Sequence, residues 1–361
     1  MRTVSATLEA AQTASSRVPY FSCIFKRNVS GTTIANYSCA GKPNDSTARI
    51  LYFRIHEFAY SSGDSGSPSI IVLRNNDRAV VDLRGCYVDF GIGDVTVGGN
   101  EYSTLPRMWV KHQEIVSSPG GIFTTLILEG AWEALEEEHT RLDDSIDDPA
   151  LYYLVNRTTT PYDLMANILD PAYSYMAFTL DALTVDDGII DTFLPYFEIN
   201  AGRNRYESKL ETLYRLISMT ACYIKPLASN HLEIIYPLPT DDTDLTITTF
   251  YEFHERQNEV LPNTIWVFAN DTGSDETGGH YNWPSLEIGI AVDSNALTRY
   301  GEIEIKEHYL CPTILTEVDA DNRALAIMAK KQAEELSQSF VMPHDCRIEL
   351  YDYLEVIDTR L

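Results

Sequence analysis

The chain has 361 residues, with 53 acidic and 27 basic side chains, so its net charge at pH 7 is −26. Its 44% hydrophobic content is typical of a globular protein rather than a disordered one, and its length indicates two or three domains at roughly 150 residues each. The negative charge argues against a general nucleic-acid binder, which needs a positive surface for phosphate. No run approaches 18 apolar residues, so we predict no membrane span. Residues 1–17 lack an apolar block, so we expect no secretory signal.

The charge is unevenly distributed along the chain. Residues 1–60 hold 7 basic and 3 acidic groups, a net charge of +4, whereas residues 131–260 hold 8 and 24, a net charge of −16. One interpretation is a solvated acidic surface that keeps the protein soluble. The other is a basic end that docks on an acidic neighbour, such as a second copy or another protein.

No motif with a clear catalytic or ligand-binding chemistry is present. The six cysteines form no CxxC pair and are predicted to be reduced and mostly buried, and the eight histidines show no metal-ligand spacing. The GDSG segment at 63–66 lacks the rest of a trypsin-like pattern and is predicted to be a loop. The acidic runs at 143–148 and 241–244 are predicted to be solvated loops. We therefore assign no catalytic, cofactor-binding or metal-ligating residue, expect no cofactor, and predict that the protein is not an enzyme.

The first part of the chain alternates in the manner of β-strands after a short helix predicted at 6–15. The alternation and the turn residues predict a strand at 48–58, a strand–turn–strand unit at 69–83, a hairpin at 91–104 and a strand pair at 107–116 and 121–130. Several short strands at close spacing are typical of a closed or sandwich-like β-domain.

The middle part changes to helical periodicity. Helices are predicted at 131–142, at 159–169 with Thr160 as N-cap, and at 204–221 with a capping box of Ser208 and Glu211. The last of these presents one apolar face, formed by Leu210, Leu213, Tyr214 and Ile217. Two strands around residues 228–230 follow it, so a helix and a hairpin form one packing unit.

The final part returns to strands, predicted at 245–253, 263–270, 285–292 and 300–309. A long helix is predicted at 319–339, capped by Asp319, and two strands, CRIELYD and YLEVIDT, close the chain. The apolar stripe of that helix is predicted to comprise Leu325, Met328, Ala329, Ala333 and Leu336. The predicted fold class is α+β and β-rich, with two β-barrel-like domains around a mixed α/β insert. The predicted division is 1–16, 17–142, 143–244 and 245–361.

Four segments, in this order, resemble the tail-hub (baseplate hub or tail-tip) proteins of tailed bacteriophages and related injection machines. They are MRTVSATLEAAQTASSRVPYFSC, SIIVLRNNDRAVVDL, YESKLETLYRLISMTACYIKPLASNHLEIIYP, and a closing set of SNALTRYGEIEIKEHY, ADNRALAIMAKKQAEEL and CRIELYDYLEVID. One departure is that the turn at 228–230 lacks the glycine that is usual in the family.

The resemblance implies a homotrimer in which each subunit contributes two tube domains. The resulting pseudo-sixfold ring adapts a sixfold tail tube to a threefold spike or fibre and lines the DNA channel. The implied partners are the tail tube or a distal tail protein above, and a spike, fibre or other tail-tip protein below. DNA passes only in transit, and no stable membrane insertion is expected. The implied location is the tail tip or baseplate of the virion, assembled in the bacterial cytoplasm.

Three alternatives remain open at this point. A distal tail protein from the same machine would form hexameric rings. A carbohydrate-binding or carbohydrate-cleaving tail protein would use paired carboxylates and the four tryptophans, Trp109, Trp132, Trp266 and Trp283. The third alternative is a β-rich interaction protein whose partner the sequence does not indicate.

Overall fold

A computed structural model describes the protein at residues 1–14, 16–27, 31–39, 46–57, 68–138, 153–156, 158–169, 178–199, 207–238, 241–254, 260–269, 288–311, 314, 316–335 and 339–358. The architecture is α+β and rich in strands, which confirms the predicted fold class. Over the described ranges the strands form several open sheets, and none of these closes into a barrel. The barrel-like closure expected from the strand spacing is therefore wrong for this chain on its own.

The first and largest sheet is entirely antiparallel and contains eight strands, in the order β2-β1-β5-β7-β8-β4-β3, with β6 added beside β5. The strands are β1 (Pro19–Arg27), β2 (Thr32–Ser38), β3 (Ile50–Arg54), β4 (Ser69–Arg74), β5 (Tyr87–Thr96), β6 (Gly99–Thr104), β7 (Met108–Ser118) and β8 (Gly121–Glu129). Helix α1 (Ala6–Thr13), which the sequence predicts, packs on β5. The predicted hairpin at 91–104 and the strand pair ending at residue 130 are both confirmed.

The predicted second strand after the Asn-Asn-Asp-Arg turn is wrong. Residues 75–86 form a loop, although Val80 and Leu83 are buried beneath it. The side chain of Asn75 explains this arrangement, because its Oδ1 accepts from the Val80 N–H at 3.0 Å and its Nδ2 donates to Thr124 Oγ1 at 2.9 Å. The alternation at 79–83 therefore does not indicate a strand. It arises because alternate apolar side chains of this loop pack into the core that the loop covers.

The middle part contains helices α2 (Ala131–Glu137), α3 (Pro161–Leu169) and α4 (Lys209–Ile217). The Thr160 hydroxyl accepts from the Asp163 N–H at 3.2 Å, and Ser208 and Glu211 form the predicted capping box. Residues 139–142 and 204–206, where two of the predicted helices extend further, lie outside the described residues. The strands here are β9 (Tyr153–Asn156), β10 (Thr179–Leu180), β11 (Tyr196–Ile199), β12 (Tyr223–Pro226) and β13 (His231–Ile235).

The hairpin of β12 and β13 is confirmed, and its turn uses no glycine. Ser229 and Asn230 take the left-handed conformation, with φ angles of 64° and 65°. Asparagine tolerates this region better than most residues because its short polar side chain bonds locally. The chain thus makes the tight turn with residues other than the glycine that its resemblance would suggest.

The final part has strands β14 (Leu245–Ile247), β15 (Glu252–His254), β16 (Thr264–Ala269), β17 (Ile288–Val292), β18 (Lys306–Cys311), β19 (Ser339–Val341) and β20 (Leu354–Val356), and helices α5 (Ser294–Arg299) and α6 (Glu317–Glu335). The predicted strand at 245–253 is split, because β14 pairs with β20 and β15 pairs with β19. The predicted strand at 346–352 is wrong, since these residues form successive turns. The predicted strand at 300–309 begins only at residue 306, because Gly301 and Glu302 both have positive φ angles.

The apolar stripe predicted for α6 is partly wrong. Of its members, Met328 is buried, Leu325 is 58% exposed, and Leu336 lies outside the described residues. The other buried positions of α6 are Ala320, Ala324, Ala326 and Ile327. The N-terminal cap of α6 also differs from the prediction. The Thr316 hydroxyl accepts from the Asp319 N–H at 3.2 Å, so Thr316 caps the helix and Asp319 lies in its first turn. Small alanines face the sheet, so α6 packs closely and the longer Leu325 points away.

Two separate clusters of buried side chains make up the core. One lies on the first sheet and includes Phe25, Leu73 and Phe90, each fully buried. The second joins α2, α3 and α4 to β16 and α6, and it runs from Ala131 to Met328. The N- and C-terminal segments meet beside these clusters, because Arg2 donates from its backbone N–H to the Arg347 carbonyl at 2.8 Å and from Nη2 to the Glu57 carboxylate at 2.8 Å.

Candidate interface on the three-stranded sheet

A three-stranded sheet in the final part carries the surface best suited to an interaction. Central strand β16 pairs antiparallel with β17 and parallel with β18. Helix α6 covers one face, where Ile265, Val267 and Ala269 of β16 are fully buried. Alternate residues of the same strands therefore point to the opposite, outer face.

Close packing of α6 explains why the bulky residues of β17 face outward. A Cβ atom added at Gly289 would clash with the backbone of Ala320 and Asp321. Gly289 and Ala291 therefore face the helix, where only small side chains fit, and Ile288, Ile290 and Val292 point to the other side. The Ile290 N–H also donates to Asp321 Oδ1 at 3.1 Å, so the helix terminus holds this strand edge directly.

The outer face is largely apolar and solvent-exposed. Ile290 is 45% exposed, Val292 is 51% exposed and, on the other edge strand, Leu310 is 72% exposed. Between these strands Trp266 and Phe268 each lie with ring centroids 6.0 Å from that of His308. We name the set of outward residues Thr264, Trp266, Phe268, Ile288, Ile290, Val292, Lys306, His308 and Leu310 the outer face.

The outer face also carries a positive charge beside its aromatic centre. Lys306 Nζ lies 5.4 Å from the centroid of the Trp266 ring and 2.6 Å from Glu304 Oε2. The buried Trp266 Nε1 has no hydrogen-bond partner among the described residues. An apolar patch with an aromatic core and an adjacent charge is typical of a protein–protein contact surface.

Sequence reasoning assigned no interface residue, and the structure shows which signal was available. In residues 288–292 the bulky residues alternate with glycine and alanine, whereas residues 306–311 (KEHYLC) show no alternation in size. This alternation predicts a strand, but it does not tell which side a helix will cover. Only the packing of α6 identifies the outer face.

The other candidate features of the sequence lie apart from this surface. Trp132 is 4% exposed inside the second core cluster, and Trp109 packs against the same cluster, 5.6 Å from the Phe178 ring. Trp283 and the GDSG segment at 63–66 fall outside the described residues. The described tryptophans are therefore not gathered into one sugar-binding platform.

The described residues contain no group of three or more histidine, cysteine, aspartate or glutamate side chains arranged to hold a metal ion. All six cysteines are free thiols, four of them buried and two, Cys39 and Cys311, half-buried. Within the same part of the chain, no helix combines the length and the apolar character needed to cross a membrane.

The fold is similar to that of a solved phage tail protein. The chain is similar to the tail protein from Neisseria meningitidis MC58, with a TM-score of 0.56 and 11% identity over 94% of this chain and 87% of that one. It is also similar to the 43 kDa tail protein of prophage MuSo2 from Shewanella oneidensis, with a TM-score of 0.48 and 12% identity over 96% and 86% of the two chains. No family model and no curated protein sequence matches the chain.

A third similar structure is the prophage tail protein gp18 from Listeria monocytogenes EGD-e, with a TM-score of 0.46 and 9% identity over 87% of this chain and 77% of that one. At these sequence identities the likeness concerns the fold alone. It rests on the Neisseria protein, whose TM-score is above 0.5. The resemblance to phage tail proteins seen in the sequence is thereby confirmed at the level of the fold.

Proposed function

We propose that this protein is a structural hub of a phage or phage-like tail tip or baseplate. It assembles as a homotrimer that joins a sixfold tail tube, or a distal tail protein, to a threefold spike or fibre. Residues 17–142 and 245–361 supply the two tube domains of each subunit, and residues 143–244 form the insert between them. The ring surrounds the DNA channel, and the protein has no catalytic role.

The observation that carries the proposal is an exposed apolar outer face on a chain with the fold of a tail protein. A structural subunit must bury surface against its neighbours, and the outer face offers isoleucine, valine, leucine and aromatic groups for this purpose. We propose that a second copy of the chain covers the outer face. The open sheets of the described ranges support this proposal, because strand edges that are free within one subunit can pair with those of the next subunit in a ring.

The acidic composition supports a role around a DNA channel. The net charge of −26 would repel the phosphate backbone if part of it lines the channel, and DNA would pass without adhering. Replacing acidic residues of the channel wall with lysine should slow DNA delivery by assembled particles. Unchanged delivery would contradict the role proposed for the acidic wall.

The decisive experiment measures the mass and the rotational symmetry of the purified protein. Light scattering should give a particle of three times 40.7 kDa, and negative-stain class averages should show a threefold ring with a central hole. A sixfold ring would favour the distal tail protein instead. A protein that stays monomeric over the whole accessible concentration range would contradict self-assembly as the basis of its function.

Variants of the outer face test whether this surface mediates the assembly of the trimer. Ile290→Glu and Leu310→Glu each place a charge in the contact, so both should yield monomers that remain folded. Val97→Glu is the matched control, because Val97 is fully exposed in the distant turn between β5 and β6. Trimers that persist in both outer-face variants would show that another surface carries the assembly.

Carbohydrate recognition, the alternative from another functional class, gains no support from the described residues. Trp132 lies inside the core, and Trp266 and Phe268 of the outer face are half-buried and interleaved with aliphatic residues rather than with paired carboxylates. Release of reducing ends from a bacterial glycan by the purified protein would reverse this assignment.

A further inference from the structure

A cavity of about 270 Å³ lies between α4, β12, β18 and α6, away from the outer face. Helix α6 contributes three basic side chains to its wall, Arg323, Lys330 and Lys331. Among the residues that the structure describes, no acidic side chain lines this cavity, although the chain has nearly twice as many acidic as basic groups. A concentration of positive charge in an acidic protein indicates a site for an anion.

Arg323 is the most unusual of these groups. Its Nη1 atom is buried and has no hydrogen-bond partner among the described residues. The groups that act most strongly on the guanidinium are the Cys311 thiol and the tyrosine hydroxyls of Tyr309 and Tyr214, and none of them is a carboxylate. Burial lowers the pKa of Arg323, which reflects the cost of keeping this charge without a counter-ion.

The two lysines add further cationic groups to the wall. Lys330 Nζ donates to the Ile217 carbonyl at 3.0 Å and lies 5.0 Å from the centroid of the Tyr223 ring. Lys331 Nζ lies 3.7 Å from Glu307 Oε2, at a position where both side chains are partly exposed. An ion pair of this length between partly exposed side chains is a weak interaction.

The rest of the wall is aromatic and aliphatic. Tyr223 and Tyr351 lie with ring centroids 5.0 Å apart, and Tyr214, Tyr309 and Trp132 complete the aromatic lining. Flat aromatic walls accept a planar or apolar body, while the cations hold an oxyanion. The volume lies just below the range of about 300–1,000 Å³ that is typical of organic-ligand sites, so only a small ligand fits.

We propose that this cavity binds a small organic anion whose carboxylate or phosphate head contacts Arg323, Lys330 and Lys331 and whose aromatic or apolar body lies among the tyrosines. The site stands independently of the role in the tail. It depends on the positions of α4 and α6 within one subunit and not on the contact between subunits.

The test titrates the full chain with benzoate, phenyl phosphate, benzyl alcohol and inorganic phosphate by calorimetry, with the thermal midpoint as a second readout. At least one of the aromatic anions should bind with 1:1 stoichiometry and raise the midpoint. Whichever of benzoate and phenyl phosphate binds more tightly identifies the preferred head group, carboxylate or phosphate. Benzyl alcohol should bind at least about tenfold more weakly. If inorganic phosphate binds as tightly as phenyl phosphate, or if neither aromatic anion saturates, the proposal is wrong.

The variant Arg323→Met separates a ligand-binding arginine from a merely structural one. It should weaken binding of the aromatic anion by about tenfold or more, yet the ligand-free variant should melt no lower than the parent, because a buried unpaired charge is lost. Arg299→Met, at an exposed arginine of α5, is the matched control and should change neither property. Retained affinity in the Arg323 variant would overturn the proposal.

A second variant keeps the test decisive if Arg323→Met does not fold. Lys331→Gln removes one charge from a partly exposed position and should leave the fold intact. It should weaken binding of the aromatic anion and flatten the dependence of affinity on salt concentration. Unchanged affinity and salt dependence in this variant would also count against the site.

Discussion

Lys209 Nζ lies 2.9 Å from Glu138 Oε2, and the lysine side chain is only 1% exposed. The backbone of the same two residues is also joined, because the Lys209 N–H donates to the Glu138 carbonyl at 2.7 Å. The pair connects the end of α2 to the first turn of α4, both of which contribute to the second core cluster. A buried charge pair of this kind positions its two helices relative to each other.

We expect Lys209→Ala to lower the free energy of unfolding by about 3–5 kcal/mol, because it leaves the Glu138 carboxylate without its buried cation. The double variant Lys209→Met with Glu138→Leu should recover most of the loss, since it removes both charges. Urea unfolding measures both effects. Lys111→Met is the control: its pairs with Glu129, at 3.1 Å, and with Glu137 are partly exposed and should contribute at most about 1 kcal/mol each. Equal losses at the two lysines would contradict this account.

Gly289 should tolerate no side chain, because α6 packs against it directly. Gly289→Ala would force the backbone at Ala320 away from the sheet and should cost about 1–3 kcal/mol or more. Gly120→Ala, in the turn between β7 and β8, is the matched control, since its nearest neighbour would be Ser118 Oγ at 3.9 Å. Thermal unfolding of both variants should show the difference, and an unaltered midpoint for Gly289→Ala would argue against the close packing of α6.

Asp94 should make stability depend on pH in an unusual direction. Burial raises the pKa of this carboxyl, against the opposing effects of Arg17 and a hydrogen bond from Gln12. Between the ordinary pKa of aspartate and the raised value, the folded state binds more protons than the unfolded state. The contribution of Asp94 to stability is therefore present at low pH and is lost as the pH rises through the raised pKa.

The variant Asp94→Asn removes this loss. Relative to the parent, it should gain stability as the pH rises from the ordinary pKa of aspartate through the raised pKa of Asp94. Urea unfolding at several pH values provides the measurement. Glu114→Gln removes the same charge from an exposed position of the same sheet and corrects for the overall negative charge. If both variants follow one pH profile, the burial of Asp94 has no energetic consequence.

The thiols should fall into two reactivity classes. Cys39 and Cys311 are half-buried, whereas Cys23, Cys86, Cys222 and Cys346 are buried. Burial, with a further contribution from Asp345, raises the pKa of Cys346 to about 11, so at pH 8 it remains a thiol and is a poor nucleophile. Titration with a disulfide reagent at pH 8 should modify Cys39 and Cys311 first and all six only in urea. Rapid modification of all six in the native protein would contradict the structure.

Elements defined by neighbours in the chain were predictable. The hairpins at 91–104 and at 107–130 follow from strict alternation around turn residues, and the caps of α3 and α4 follow from Thr160 and Ser208 with partners three residues later. These bonds form within a few residues, so the amino-acid order alone specifies them. The order of segments also predicted the phage tail fold.

The features of the fold that the sequence did not predict depend on contacts between residues that are far apart in the chain. Residues 79–83 alternate like a strand but form a loop over the core, and the pairing of β14 with β20 joins residues more than a hundred positions apart. The outer face and the cationic cavity depend on which side of each element α6 covers. The caps and tight hairpins could be read from neighbouring residues, because their bonds form locally. An alternating pattern specifies two faces of a strand without saying which is buried. Which apolar residues remain exposed therefore follows from the folded structure, because burial depends on partners that are distant in the chain.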